Sequence, residues 1–446
     1  MQYILYSLAL VVLSLYFFPF EFTFLPGMNT KMMMAGIGLV VLAIQFAKKR
    51  KVAADNDFML ITILAVIVSL IGFISVTYNG THDYTYATYI VSMLVWLSAA
   101  NLVLALIRTI HGRVNVTLIC DYLIVLCVVQ CSLALIIDGI PSVKEFVDSF
   151  LSGQGFMGKN EHRLYGIGCS LDVAGTRFCA ILLMCIYQIV QISSKQELDE
   201  KRKFWHMLWY LSAFMFISIV GNMIARTTTI GVALAFLYLL ILTRPFSIIS
   251  IEKHKLIWRM TGIMLFVAIC FTVLFYNISP VFKYNLRFAF EGFFSLAEKG
   301  TWEVSSNEIL KNMVVFPDEI KTWVIGNGYF DNPYDREPYY TGVRWHGFYQ
   351  NTDIGYLRFI FYFGVFGLIT FMAYITKVAL TCRKRLPETG VLFLMLLLLN
   401  FTIWCKVSTD IFLVFALFLC LPYKTEPEKL TVKENITSDS QPVDMQ

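Results

Sequence analysis

Charge is what this sequence has little of: Asp, Glu, Lys and Arg make up 15% of its 446 residues. Soluble globular domains carry about 25%, so an ordinary water-covered surface is excluded. Ten cysteines are present, most of them (Cys120, Cys127, Cys131, Cys179, Cys185, Cys270, Cys420) inside apolar runs. No C-x-x-C pair and no His/Cys spacing fit to hold zinc occurs, so neither a disulfide framework nor a metal site is indicated, and no cofactor is implied. Also missing are a Walker-A loop ending in Gly-Lys-Ser/Thr and a G-x-G-x-x-G that follows a strand. The first apolar run lacks a basic n-region and a small-residue cleavage site, which makes it an expected retained span and not a signal peptide.

What is present is hydrocarbon. Hydrophobic residues reach 57% and mean hydropathy +0.66, the balance of an all-α, polytopic membrane bundle. Runs of about 20 apolar residues suffice to cross a bilayer core of roughly 30 Å. Twelve stand at 2–20, 31–47, 58–78, 86–107, 114–137, 173–192, 205–222, 227–243, 258–279, 353–376, 388–404 and 408–423. They predict one transmembrane domain over 1–423, with no internal repeat evident.

Orientation follows from the basic residues. The short loops after the second, fourth, sixth, eighth and tenth runs carry Lys48-Lys49-Arg50-Lys51, Arg108 and Arg113, Lys201-Arg202-Lys203, Arg244 with Lys253 and Lys255, and Arg383-Lys384-Arg385. Lysine- and arginine-rich loops stay inside, which predicts cytoplasmic loops at these boundaries and two cytoplasmic termini. The net charge of +5 is accounted for mostly by those loops and needs no nucleic-acid partner. The polar end 424–446 reads as a disordered tail.

The opposite face then receives 138–171 and a 73-residue segment, Pro280–Thr352, too long to be a passive connection. Within it, Ser305-Ser306-Asn307-Glu308 predicts a capping box opening a short helix that Pro317 ends. Lys283–Leu296, with Phe288, Phe290, Phe293 and Phe294 among polar residues, predicts a helix lying on the membrane surface. The segment's charge is mixed, seven basic and nine acidic residues, so it is not a polybasic lipid-binding patch. Nucleotide sugars are scarce outside a cell. An enzyme working there needs a substrate activated beforehand, such as a lipid-linked pyrophosphate.

Four arginines on that face suit a pyrophosphate: Arg163, Arg226, Arg344 and Arg358. The guanidinium fork binds phosphate oxygens in pairs and stays charged. The plainer alternative is snorkelling at a helix end. It fits Arg226 worst, because that residue lies between two apolar runs with almost no loop, where a charge is costly unless paired. Asp353 follows Asn351-Thr352 at the start of an apolar run, where it is either a helix N-cap or a base. His346 is either an ordinary loop histidine or a base and sugar-hydroxyl partner. The aromatic stretch Tyr329–Tyr349 is an interfacial belt or a stacking surface for sugar rings, and Gly364 and Gly367 predict close helix packing.

With these residues in view, the chain resembles the O-antigen polymerase and ligase superfamily. The resemblance rests on the many-span layout, one long late external loop, W-V-I-G-N-G-Y-F, and T-D-I-G-Y-L-R-F-I-F-Y-F-G-V-F-G. H-R-L-Y-G at 162–166 and A-R-T-T-T-I-G at 225–231 resemble the family's arginine segments. Ligases of the superfamily carry His-(Asn/Ser/Gln)-x9-Gly-x-x-Gly. Counted back from Gly364 and Gly367, the histidine position holds Asp353, which favours a polymerase. Arg344 and Gly355 also fit an Arg-x10-Gly spacing described for polymerases.

The resemblance implies a bacterial inner-membrane protein with a GT-C-like architecture. Its activity would be metal-independent transfer of a glycan from a polyprenyl-pyrophosphate donor to a sugar hydroxyl on a second lipid-linked repeat. Asp353 or His346 would act as base, with the arginines on the pyrophosphate. Implied partners are the lipid-linked oligosaccharides, the bilayer, a flippase and a chain-length regulator. The alternatives are an O-antigen ligase and, from another class, a transporter or flippase. Transporters place charges and broken helices at mid-membrane, whereas the interior charges here, Asp121 and Asp410, lie near span ends.

Overall fold

In lipid an apolar run satisfies its own backbone N–H and C=O groups by becoming helical. A computed structural model of the chain, describing residues 2–49, 56–152, 163–194, 199–245, 254–333 and 347–421, is all-helical, with only isolated β-bridges among the described residues. From the N-terminus run α1 (Gln2–Phe17), α2 (Thr30–Lys49), α3 (Asn56–Asn79), α4 (Tyr89–His111), α5 (Val116–Gly139) and the short α6 (Pro141–Phe150). Next come α7 (Leu171–Ser194), α8 (Glu200–Ile224), α9 (Thr228–Thr243) and α10 (Lys255–Ile278). The expected long external segment holds α11 (Pro280–Ala289), α12 (Glu291–Lys299), α13 (Ser305–Asn312) and α14 (Ile320–Val324). The described chain closes with α15 (Gly355–Arg385), α16 (Gly390–Ile403) and α17 (Phe412–Leu419).

Eight of these, α2–α5, α7, α8, α10 and α15, are long and apolar enough to cross a membrane, while α1, α9 and α16 are shorter apolar helices. The expected tail 424–446 lies outside the described residues. Two layers of packing make the bundle: α2 on α4 and α3 on α15 in one, α7 with α5, α8 and α9 in the other, with α16 bridging to α7 and α9. At its centre is α7, most of whose side chains are buried, whereas α10 lies on the rim with an apolar surface open to lipid. Gly231 is what lets α9 close on α7: a Cβ there would fall 2.4 Å from the Cys179 Cα.

Local structure differs from expectation at three points, each for a physical reason. First, the predicted surface helix Lys283–Leu296 breaks at Phe290 into α11 and α12, and Phe290 packs against the core. Second, α13 starts at Ser305 but is capped from elsewhere: the Glu291 carboxylate accepts from both the Ser305 amide (3.2 Å) and its hydroxyl (2.9 Å). The helix also ends at Asn312, well before Pro317.

The third concerns Gly364. It does not simply pack two helices; it breaks one. Residues Phe363 and Gly364 leave helical geometry inside α15, and Gly364 takes φ 71°, ψ −177°, a region essentially closed to other residues. The freed carbonyls find partners in the W-V-I-G-N-G-Y-F stretch. Phe361 O accepts from the Asn327 amide (2.6 Å), while Tyr362 O accepts from the Gly328 amide (3.1 Å) and Ser75 Oγ (2.6 Å). Gly326, at φ 83°, lies so close that a Cβ would be 2.4 Å from Tyr362 O. The kink is therefore a socket for the segment that follows α14, and it fixes where that segment meets the bundle. Gly364→Ala should lower thermal stability in detergent by well over the 1–3 kcal/mol of backbone strain alone, because its Cβ would also fall 2.3 Å from Val324 O. A wild-type melting temperature for this variant would contradict the socket.

Candidate active site

Four of the six residues singled out from the sequence, Arg163, Arg226, Asp353 and Arg358, line a single cavity of about 630 Å³. Arg344 and His346 lie outside the described residues. The cavity is walled by the start of α7, the α8–α9 turn, α13, the segment after Gly328, the start of α15 and the non-helical stretch between α16 and α17. Separate loops thus converge at one end of the bundle.

Arg163 is held by its neighbours. Leu164 and Tyr165 are buried, the Tyr165 hydroxyl donates to Asp148 (2.6 Å), and Gln130 of α5 bonds both the amide and the carbonyl of Ile167. Arg226 sits in a turn tied down by threonines: Thr228 Oγ1 donates to Gly221 O (3.0 Å) and Thr229 Oγ1 to Asn222 Oδ1 (2.6 Å). The two guanidinium groups share one aromatic ring. Arg226 lies 3.9 Å and Arg163 5.2 Å from the Phe288 centroid, within cation–π range. Arg226 is also paired, as its setting between apolar runs demanded. Its Nη1 stands 2.9 Å from Glu291 and 3.2 Å from Ser305 Oγ. Glu291 thus joins Arg226 to the start of α13, whose Ile309 and Leu310, with Met313 just past its end, line the cavity.

The facing wall carries two more cations. Lys406, in the stretch between α16 and α17, donates to Asp172 Oδ1 (3.0 Å) and Thr227 Oγ1 (2.9 Å), and Thr227 donates to the same Asp172 oxygen. This triad stitches α7 to the α8–α9 turn. Arg358 is only 4% exposed, and both of its terminal nitrogens are engaged. It donates to Asp331 (2.6 Å), Phe330 O (2.8 Å) and Ser408 Oγ (2.6 Å), and lies between the Phe330 and Phe348 rings. Its geometry is that of a strut.

Asp353 is different. The N-cap of α15 is Ile354, with no side-chain cap bond, so the capping expectation for Asp353 is not met. Among the described residues its Oδ1 is buried without a hydrogen-bond partner; Arg358 Nη1 stands 3.9 Å away, close enough to act through charge but too far for a hydrogen bond. Asp353 precedes the helical span, which starts at Gly355. Burial pushes its carboxyl up to about 7, and the positive charge of Arg358 only partly opposes this. A carboxyl balanced near neutral pH can take a proton and give it back. Among the described residues, no three His, Cys, Asp or Glu side chains come together as a metal ion would require.

In comparison with known proteins, the chain matches no family model, no curated protein and no solved structure. The residues that sequence reasoning passed over are the partners: Asp172, Glu291, Asp331, Lys406 and Ser408. Asp172 opens an apolar run and reads as an ordinary helix start, while Lys406 occupies what looks like a tight link between two spans. Only a buried cation's need for a carboxylate signalled them.

The contrast between Arg358, a buried strut, and Arg163, at the half-buried cavity wall, has a measurable consequence. Asp331→Ala removes the carboxylate facing a buried guanidinium and should cost about 3–5 kcal/mol of stability. Arg163→Ala, at a half-buried position, should cost about 1 kcal/mol or less. Equal losses in thermal or denaturant unfolding would contradict the assignment.

Proposed function

We propose that this chain is a glycosyltransferase of the O-antigen polymerase type. It would extend a polyprenyl-pyrophosphate-linked oligosaccharide at the outer face of a bacterial inner membrane. The observation that carries this reading is the pairing, in one cavity at a bundle end, of a cationic wall with a carboxyl whose Oδ1 has no hydrogen bond among the described residues. In this reading the bundle has twelve spans, α1, α9, α16 and α17 serving as short ones, with GT-C-like architecture and both termini in the cytoplasm. A flippase supplies its substrate and a chain-length regulator works beside it.

The chemistry asks for two things. Glycosyl transfer from a pyrophosphate leaves a strongly anionic leaving group, and cations fixed where that charge develops lower the barrier without reorganisation. Arg163 and Arg226 serve here, with Phe288 holding their guanidinium planes. The attacking sugar hydroxyl must lose a proton as its oxygen bonds to the anomeric carbon, and Asp353 accepts it. Arg358, occupied by Asp331 and Ser408, keeps the base in register. Asp353 stands where the related ligases have histidine, which favours transfer to another repeat over transfer to a different acceptor.

Arg226→Ala, Arg163→Ala and Asp353→Asn should each collapse surface glycan to single repeats while the protein stays in the membrane at normal abundance. The loss for Asp353→Asn should be about 10²–10⁴-fold in rate. The base works ionised, so wild-type chain extension should rise with pH through about 7 and then level. Asp353→Glu should keep a rising limb, and Asp353→Asn should have none. Long chains of unchanged length in the two arginine variants would overturn the reading.

A further inference from the structure

The cavity does not end at Arg163. That residue also belongs to a second, neighbouring cavity of about 500 Å³ with Asp138, Lys144, Tyr284 and Asn285. Asp138 and Asn285 in turn belong to a third, of about 650 Å³, lined by Leu135 of α5, Ile219 and Met223 of α8, and Phe271 and Phe275 of α10. The three spaces adjoin one another in a series. Their character changes along it, from cationic at Arg226, to mixed at Lys144 and Asp138, to almost wholly apolar between α8 and α10.

The apolar member faces the bilayer. Phe271, Phe275 and Val281 are 58%, 41% and 58% exposed, and α10 as a whole has its apolar surface outward. From Phe271 to Ser279 the wall descends eight residues, about 12 Å at the α-helical rise. That is close to the roughly 15 Å of hydrocarbon in one leaflet. A groove of leaflet depth, open to lipid and continuous through a lysine and an arginine with an arginine-walled cavity, fits a molecule with an apolar tail and an anionic head.

We infer that the groove between α5, α8 and α10 seats the isoprenoid tail of the lipid-linked donor, with its pyrophosphate passing Lys144 to Arg163 and Arg226. The inference rests on the lipid-pyrophosphate reading above and adds where the lipid lies. An ordinary phospholipid in the groove would have no use for the passage to Arg226, so the committed occupant is the donor.

The test uses purified full-length protein in detergent micelles and two radiolabelled probes: a sugar-free long-chain polyprenyl pyrophosphate and inorganic pyrophosphate. Ile219→Trp on α8 and Thr272→Trp on α10 each fill the groove without touching the arginines. Both should weaken the long-chain probe at least tenfold and leave pyrophosphate binding unchanged, which also reports that each variant is folded. Arg163→Ala should weaken both probes. Independently, a benzophenone side chain at Phe271 should crosslink to the long-chain probe, and excess phosphatidylglycerol should not suppress the adduct. Wild-type long-chain affinity in both tryptophan variants, no adduct, or an adduct lost to phosphatidylglycerol overturns the groove while leaving the functional reading intact. Failure of the wild-type protein to bind either probe overturns both.

Discussion

The ion pair between Arg358 and Asp331, 2.6 Å long and 4% exposed on the arginine side, is the contact on which the site depends. A guanidinium withdrawn this far from water must be met by a carboxylate and by further acceptors, or the helix start that carries it would be disrupted. Meeting that need brings three parts of the chain together. Asp331 and Phe330 come from the long segment, Ser408 from the stretch between α16 and α17, and Arg358 itself from α15. The Gly364 socket serves the same end from the other side, because it anchors Asn327 and Gly328 only a few residues before Asp331.

Around this strut the polar groups are sorted by how completely they are paired. Lys406 is matched by Asp172 and Thr227, and Arg226 by Glu291 and Ser305. Asp353 is half-buried beside them, yet among the described residues its Oδ1 accepts no hydrogen bond. In this low-dielectric recess Asp172, Glu291 and Asp331 each face a cation within 3.0 Å, whereas Asp353 has Arg358 only at 3.9 Å and burial pushes its carboxyl up. The same recess strengthens the pull of each cation on an arriving anion. The result is a place where cationic side chains and a half-buried carboxyl share one cavity at the end of an apolar bundle.

Much of this was legible in the sequence, for reasons that can be named. Apolar runs of bilayer length become helices because lipid leaves the backbone no other partner, and each expected run contains a helix, eight of them long and apolar enough to cross a membrane, while 408–423 is helical only over Phe412–Leu419. Arg163, Arg226 and Asp353 were recognisable because a charged residue at the mouth of an apolar run demands an explanation. What stayed hidden was whatever depends on a second, distant residue. Gly364 read as a packing glycine because its unusual backbone is visible only beside Val324. Asp353 read as a cap because nothing local shows that Ile354 takes that position. Ser305 read as the start of a capping box, although Glu291, fourteen residues earlier, supplies the cap. Lys406 was passed over because its partner, Asp172, lies on another helix.

In the proposed function this membrane bundle lengthens a glycan using only the energy already stored in a lipid pyrophosphate. The direct measurement is reconstitution of the purified chain in liposomes with lipid-linked oligosaccharide repeats and no nucleotide, followed by separation of the products by length. A ladder of lipid-linked chains longer than one repeat is expected, with free polyprenyl pyrophosphate released as the ladder grows. Single repeats persisting unchanged beside folded protein would contradict it.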